Sequence, residues 1–536
     1  MNYVIGVDVG TASARAGVFD EQGVLLGTAK SDIEIFFGDG GIVEQSSRGI
    51  WDAVCQATRA AIEQSGVRKE NIVGIGFDAT CSLAVVQADG SPLAVSSSGN
   101  PDRNVIVWMD HRAVGQAARI NDLQHEVLKY VGGRISPEMQ TPKLLWLKEN
   151  MPETFAQAGH FFDFADYLTW RASGSLARSM CTLTCKWTYL GHEKRWDASY
   201  FQATGLEEFV EEEFCRIGTE VAEPGAPLAN GVCKDSALEL GLCPGTAVAT
   251  GLIDAHAGGV GTVGGFAPAY SPENTMAYVF GTSSCTMTST AQPVFVPGVW
   301  GPYYSAMVPG LWLNEGGQSA AGAAIDRLIA LHPAFSEAKG HATAAGSSVP
   351  AWLAEQAQKQ SADLSGTVML AGRLHVVPEF LGNRAPFADP EARAVIAGLG
   401  MDNDINSLIA LYVAGICSLG YGLRQILETQ AAQGTETRAI VISGGAGRSP
   451  LIRQLLADAT RTPILTTSCE EPVLLGSAIL GAVAARQHND VASAMTAMSD
   501  RGAVYYPAGD DILKLHEKRF TAYKHLQTTA RDIAAL

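Results

Sequence analysis

Two segments about half a chain apart share one plan: a strand, a tight turn of Gly, Thr and Ser, then a second strand. The first spans Ile5 to Asp20. Its turn holds Gly10, Thr11 and Ser13, and Arg15 follows in the second strand. The second spans Met276 to Thr288, with its turn at Gly281, Thr282 and Ser283. Turns of this kind leave backbone N–H groups and hydroxyls facing outward, a cradle for phosphate oxygens. A chain that builds the cradle twice is expected to form two similar lobes that grip one polyphosphate from both sides. Phosphoryl transfer from a nucleotide is the reaction class this implies, before any substrate is known.

Composition narrows the partners. At 536 residues the chain has room for more than one domain and a large core. The formal net charge is −17 and no stretch is rich in Lys or Arg, which argues against a nucleic-acid partner. The opening Met1 to Asp8 has no basic region and runs straight into a strand, so no signal peptide is expected. The longest apolar run, Val473 to Ala485, is too short and too Gly-rich to span a bilayer. A cytoplasmic protein without a membrane partner is the expectation. Of the 10 Cys, Cys181 and Cys185 are four apart, with no second pair or nearby His in the sequence to complete a zinc site. Buried free thiols are expected.

Strand patterns over 71–78, 82–87 and 105–110 follow an amphipathic helix over 49–66, where Ile50, Val54, Ala57, Ala61 and Ile62 share a face. This alternation predicts an α/β domain around a mixed sheet. Helix is expected over 112–150 with a break at Ser136-Pro137, and strand and loop insertions over 160–215. A buried strand over 246–252 leads into Gly251-Leu252-Ile253-Asp254. The Gly-rich run from Gly258 to Pro268 has few anchoring side chains and reads as a domain boundary and hinge, giving domains of 1–265 and 266–536. The second half repeats the plan with helices over 318–331 and 404–433. A strand over 439–443 then meets the turn Gly444-Gly445-Ala446-Gly447, a helix starts near Pro450, and a charged amphipathic helix runs from Asp510.

Asp8 stands just before the first turn, where a carboxylate suits Mg²⁺ beside phosphates, or a turn cap. Arg15 can meet the transferred phosphoryl or pair with a carboxylate. Asp254 comes at the end of a buried strand among small residues. There it can accept the proton of a substrate hydroxyl, or cap the next helix. It joins Asp8 as a candidate metal ligand, while His256 reads as structural. Gly444, Gly445 and Ala446 lie between a strand and a helix, where a backbone without side chains can approach a flat base or sugar. After two phosphate cradles, this turn reads as the adenosine pocket.

Five ordered motifs carry a resemblance: Asp8 to Thr11, Gly251 to Asp254, Gly281 to Ser284, Gly444 to Ala446, and Gly382 to Pro390 with Ala397 to Leu399. Together they resemble the carbohydrate kinases of the FGGY family over essentially the whole chain. The resemblance implies an α/β fold of two ribonuclease-H-like domains of the actin-like ATPase superfamily, with an ATP and sugar cleft between them. It also implies that Asp254 is the base, that Asp8 helps place Mg²⁺ and that the Gly281 turn meets the nucleotide phosphates. Phe77 to Ser82 and Trp108 to Arg112 are similar to ribulokinases, which puts Thr80, Cys81 and Asp110 at the sugar. Lys186 and Glu315 look like the sugar-binding lysine and glutamate of that branch; Lys donates to ketose oxygens and Glu accepts from hydroxyls. The expected reaction is phosphorylation of a pentulose at its terminal hydroxyl, D-ribulose to D-ribulose 5-phosphate. L-ribulose, ribitol or another polyol is the alternative acceptor, and a non-catalytic ATP-binding scaffold the remote alternative. The family also makes a homodimer an expectation.

Overall fold

The computed structural model describes residues 1–266 and 269–536; Ala267 and Pro268, at the end of the expected hinge, lie outside the described residues. The first turn closes through the Gly10 N–H, which donates to the Ser13 carbonyl at 3.0 Å. Tyr3–Val9 therefore pairs antiparallel with Ser13–Phe19, and Leu25–Asp32 continues the meander. On the other side of Tyr3–Val9 lie two parallel additions, Ile72–Ala79 and then Ala247–Val248. The helix Ser47–Ser65 covers this sheet. Ser46 caps it by accepting from the Gly49 N–H, Ile50, Val54, Ala57 and Ala61 are buried, and Gly66 ends it at φ 66°.

The second half repeats this order. The Gly281 N–H donates to the Ser283 carbonyl at 3.0 Å. Thr275–Phe280 pairs antiparallel with Ser284–Thr290, which pairs with Trp312–Gln318. Ala439–Ser443 and Ile464–Thr466 follow in parallel on the far side. Each half thus holds three antiparallel strands and two parallel crossovers in the same spatial order, and the second adds the edge strands Trp300–Tyr304 and Val504–Tyr505. That order is the ribonuclease-H-like topology, built twice.

Several elements differ from their sequence reading. Residues 160–215 are mainly helical: Phe164–Ser173, Met180–Lys186, Ala198–Thr204 and Glu207–Glu211 follow the short strand His160–Asp163. Their rings pack on one another, as Phe201 does with Phe209 and Phe214, so aromatics appear on several faces and blur the helical period. The strand expected over 246–252 breaks into Ala247–Val248 and Leu252–Ile253, because the Thr250 N–H leaves the ladder for the Ala226 carbonyl. Only Val105–Ile106 of 105–110 is strand. Gln318 ends a strand, and the helix after it starts at Gly322. The Gly-rich run from Gly258 is not an unanchored connection, since Asp254–Val263 is a helix. Its glycines admit a neighbour at close range: a Cβ at Gly261 would lie 2.0 Å from the Pro472 carbonyl oxygen.

That neighbour, the helix Pro472–Ala484, comes from the second half of the chain yet lies on the first sheet. Among the described residues, Ile405–Ala432 is long and apolar enough to cross a membrane by length and composition, and 78% of its apolar window is buried inside the protein.

Candidate active site

Strand register assembles the first cluster. Asp8 lies directly beside Asp78 on one neighbouring strand and Arg15 on the other. Arg15 donates through Nε to Asp8 Oδ2 at 2.9 Å and through Nη1 to Glu471 at 2.5 Å, and its Nη2 also bonds Asp8. Of the two readings of Arg15, carboxylate pairing is the one present. Asp78 is fully buried. Its Oδ2 accepts from the Ser477 hydroxyl at 2.5 Å and its Oδ1 has no partner. Burial and the adjacent Asp8 charge hold the Asp78 carboxyl well above the usual range. The sequence reading passed over Asp78; its signal there is an acid near the end of an otherwise apolar strand.

Leu252 and Ile253 pair with Asp78 and Ala79, so Asp254 emerges beside this cluster as the first residue of its helix. Asp254 is half-buried. Its Oδ1 accepts from the Ala255 N–H at 2.7 Å, and its Oδ2 has no protein partner among the described residues. One oxygen braces the helix start and the other is free. Burial and the Asp8 charge push its pKa up to about 6, which leaves it ionised at neutral pH but more basic than an exposed carboxylate.

Both turns are held by second contacts. The Thr11 hydroxyl accepts from the Trp108 indole at 2.9 Å and the Thr11 carbonyl from Gln45 at 2.7 Å. Ser13 and Gly10 are half-buried, whereas Thr282 and Ser283 are exposed. The second turn rests on the start of a helix: Ala321 and Gly322 N–H groups bond the Thr282 and Gly281 carbonyls, each at 2.9 Å. Gly444 follows its strand at φ 91°, and a Cβ there would lie 2.5 Å from the Phe280 carbonyl oxygen, so the position demands glycine. Gly445 sits where two cavities meet. One, of about 540 Å³, has apolar walls from Ile325, Ala354, Tyr412 and Ile416. The other, of about 420 Å³, runs past Arg448 and Arg453 to Arg15 and Glu471. Ala446 continues the turn as part of the short helix Gly445–Arg448.

A second charged group surrounds Glu315. Lys186 ends the helix Met180–Lys186 and is buried, with its ammonium 5.2 Å from the Trp300 ring centroid. Trp300 is the register partner of Glu315. His256 places Nε2 3.6 Å from Glu315, while its Nδ1 lies 3.2 Å from Cys181 Sγ and 3.1 Å from the Ala306 carbonyl. Burial opposes charge on Glu315, yet His256, Lys186 and Arg384 outweigh it and hold the carboxyl down to about 2. Burial likewise opposes charge on His256, but Cys185 and Glu315 raise it to about 10. His256 therefore faces Glu315 as well as packing in the core. It also supplies the histidine that the Cys181–Cys185 spacing lacked, since the three potential ligand atoms lie within 4.8 Å of one another.

Thr80 and Cys81 directly follow the strand that carries Asp78. The Thr80 N–H donates to the Val9 carbonyl at 3.0 Å, and the Cys81 carbonyl accepts from Gln140 at 3.0 Å. Asp110 is different. It is fully buried, and its two oxygens accept from the Val43 and Arg112 N–H groups and from two guanidinium nitrogens of Arg112. No acceptor is left for the expected sugar contact, so Asp110 acts as a clamp on Arg112, which also bonds Glu44 at 2.9 Å. Changing Arg112 to Met is expected to destabilise the fold by ~3–5 kcal/mol, because two buried carboxylates lose their cation. Urea unfolding checks this, and Arg112→Lys should recover only part of the loss, lacking the planar fork.

Comparison with known proteins agrees with this geometry. Residues 3–261 match the N-terminal domain of the FGGY family of carbohydrate kinases, and residues 276–485 match its C-terminal domain. The chain belongs to the FGGY family of carbohydrate kinases. This FGGY kinase is 44% identical to an FGGY carbohydrate kinase domain-containing protein from Homo sapiens, over 100% of this chain and 98% of that one. It is 40% identical to a D-ribulokinase from Saccharomyces cerevisiae, over 90% of this chain and 72% of that one. A xylulose kinase from Rhodospirillum rubrum has the same fold, with a TM-score of 0.80, 19% identity and 99% of each chain covered. The FGGY kinase is thus an ATP-dependent sugar kinase with two ribonuclease-H-like domains.

Proposed function

We propose that this kinase phosphorylates D-ribulose at its C5 hydroxyl, giving D-ribulose 5-phosphate. The observation that carries the reading is a free Asp254 oxygen together with a buried Lys186 and Glu315 that lie close enough to influence each other's charge. That arrangement offers a base for the reacting hydroxyl, and a donor and an acceptor for the rest of a polar, uncharged sugar. The D-ribulokinase among its relatives supports the choice of sugar.

The apolar cavity beside Tyr412 and Ile416 takes the adenine, and the cavity past Arg448 and Arg453 takes phosphates. The Thr11 and Thr282 turns face the transferred group. Asp254 accepts the C5 proton, the sugar oxygen bonds the γ-phosphorus, and the bond to the bridging oxygen breaks to release ADP. Asp78 Oδ1 is buried without a partner beside Asp8, and two adjacent carboxylates call for a cation or a proton between them. This oxygen-rich donor set fits Mg²⁺, which Asp8 and Asp254 would hold directly or through water. When bound, magnesium supplies neutralisation of phosphate charge. The free cysteines suit a reducing cytoplasm.

ADP release with Mg-ATP across D-ribulose, L-ribulose, D-xylulose, L-xylulose, ribitol and glycerol tests the reading. The highest kcat/KM is expected with D-ribulose. A higher value with L-ribulose or ribitol would keep the kinase and overturn the sugar.

A further inference from the structure

Arg384 lies on the turn between Gly382 and Pro390, which is pinned at its base: Asn383 and Asp389 exchange backbone hydrogen bonds at 2.7 and 2.8 Å. The next residues are seated against the strands of the sugar pocket. A Cβ at Gly316, beside Glu315, would lie 3.3 Å from Ala385 Cβ, and one at Gly298 would lie 1.8 Å from the Pro386 carbonyl oxygen. The backbone at Arg384 is therefore fixed next to both Glu315 and Trp300. Its guanidinium carbon lies 5.7 Å from the Trp300 ring centroid, and the Lys186 ammonium lies 5.2 Å from that centroid. Two cations attend one ring, and that ring is the register partner of Glu315.

Neither cation has a hydrogen-bond or ion-pair partner among the described residues. Lys186 is only 5% exposed, and its donors are not used by the protein. Arg384 adds five N–H donors in a rigid fork. Unused charged donors, held in place beside a carboxylate acceptor, describe a site for an oxygen-rich ligand. Asp254, the free base, projects from a different helix beside Asp8 and Asp78.

We propose that Arg384 binds the sugar directly. With Lys186 across Trp300, it holds the oxygens at the end opposite the phosphorylated hydroxyl. The inference rests on the sugar-pocket reading above but not on the identity of the sugar. Arg384 sets which acceptors are accepted, because a sugar lacking an oxygen at that end leaves a charged donor desolvated and unpaired.

Steady-state kinetics with the best acceptor from the panel tests this, using Arg384→Met, Arg384→Lys and an analogue lacking the hydroxyl at the far end. In Arg384→Met the sugar KM should rise roughly tenfold to a hundredfold, the range for losing a hydrogen bond to a charged group, with the ATP KM nearly unchanged. The deoxy analogue should be penalised in the unmodified enzyme and hardly at all in Arg384→Met. Arg384→Lys should fall between. Thermal melting of each variant separates a folding defect from a binding one. An unchanged sugar KM, or an equal deoxy penalty in enzyme and variant, overturns the inference. A best acceptor other than D-ribulose, with the Arg384 effect intact, overturns only the sugar assignment.

Discussion

Replacing Asp254 with Asn is expected to lower kcat by ~10²–10⁴-fold, the usual contribution of a general base, and to leave ATP binding intact. The change is close to isosteric. The amide oxygen can still accept from the Ala255 N–H, so the start of the helix Asp254–Val263 keeps its brace. What disappears is the second carboxylate oxygen, the one with no protein partner, which an amide replaces with a donor that cannot take up a proton. Calorimetric ATP titration beside turnover with the best sugar separates the two roles, and an Asn variant that turned over at the original rate would remove Asp254 from the chemistry. The pH profile gives a second reading. Burial and Asp8 raise the Asp254 carboxyl to about 6, so its ionised fraction falls as pH drops through that value. The kcat/KM of the unmodified enzyme should therefore fall on the acid side near pH 6, and the residual rate of the Asn variant should lack that limb. The same acid limb in both would assign it to another group.

The parts of the site legible in the sequence are those whose chemistry is local. Gly10, Gly281 and Gly444 announce turns because glycine between short apolar strands is a turn signal, and at Gly444 the backbone has no room for a side chain. Asp254 is legible because an acid at the end of a buried strand has few structural uses. The charged pocket is not local. Lys186, His256, Trp300, Glu315 and Arg384 come from separate elements and meet only through sheet register and helix packing. Lys186 and Glu315 were reached by resemblance alone, Trp300 carries no local mark, and Arg384 lies in the Gly382 to Pro390 motif without any sign there of what it faces. Asp110 misled for a related reason: its saturation by Arg112 and the Val43 amide depends on a strand from elsewhere in the chain. The close packing of the Gly258–Gly265 run was not legible because glycine has two uses, freedom and thinness, and a single segment does not say which applies. Its partner segment decides, and that partner is more than 200 residues away.

Gly476→Val should be among the most destabilising single changes in the protein. The helix Pro472–Ala484 lies on a bed of glycines: a Cβ at Gly6 would lie 1.8 Å from the Leu474 carbonyl oxygen, and one at Gly76 1.9 Å from that of Ser477. Facing helices are equally close, for a Cβ at Gly476 would lie 1.9 Å from the Ala257 carbonyl oxygen and 2.6 Å from its carbon. These neighbours are backbone atoms in regular elements, which cannot rotate aside as a side chain could. The cost should reach or exceed the upper end of the ~1–3 kcal/mol typical of overpacking. The strain falls on the helix that begins with Asp254, so any soluble Gly476→Val protein should also lose turnover. Gly340→Ala is the matched control, because that helical glycine is exposed and a Cβ there meets nothing within 4 Å. Removing backbone freedom at such a site should stabilise by up to ~1 kcal/mol. Melting temperatures should then rank Gly340→Ala at or above the unmodified protein and Gly476→Val well below it. Equal melting of Gly476→Val and the unmodified protein would mean that the two helices can separate without loss, and that glycine at this crossing serves motion instead of contact.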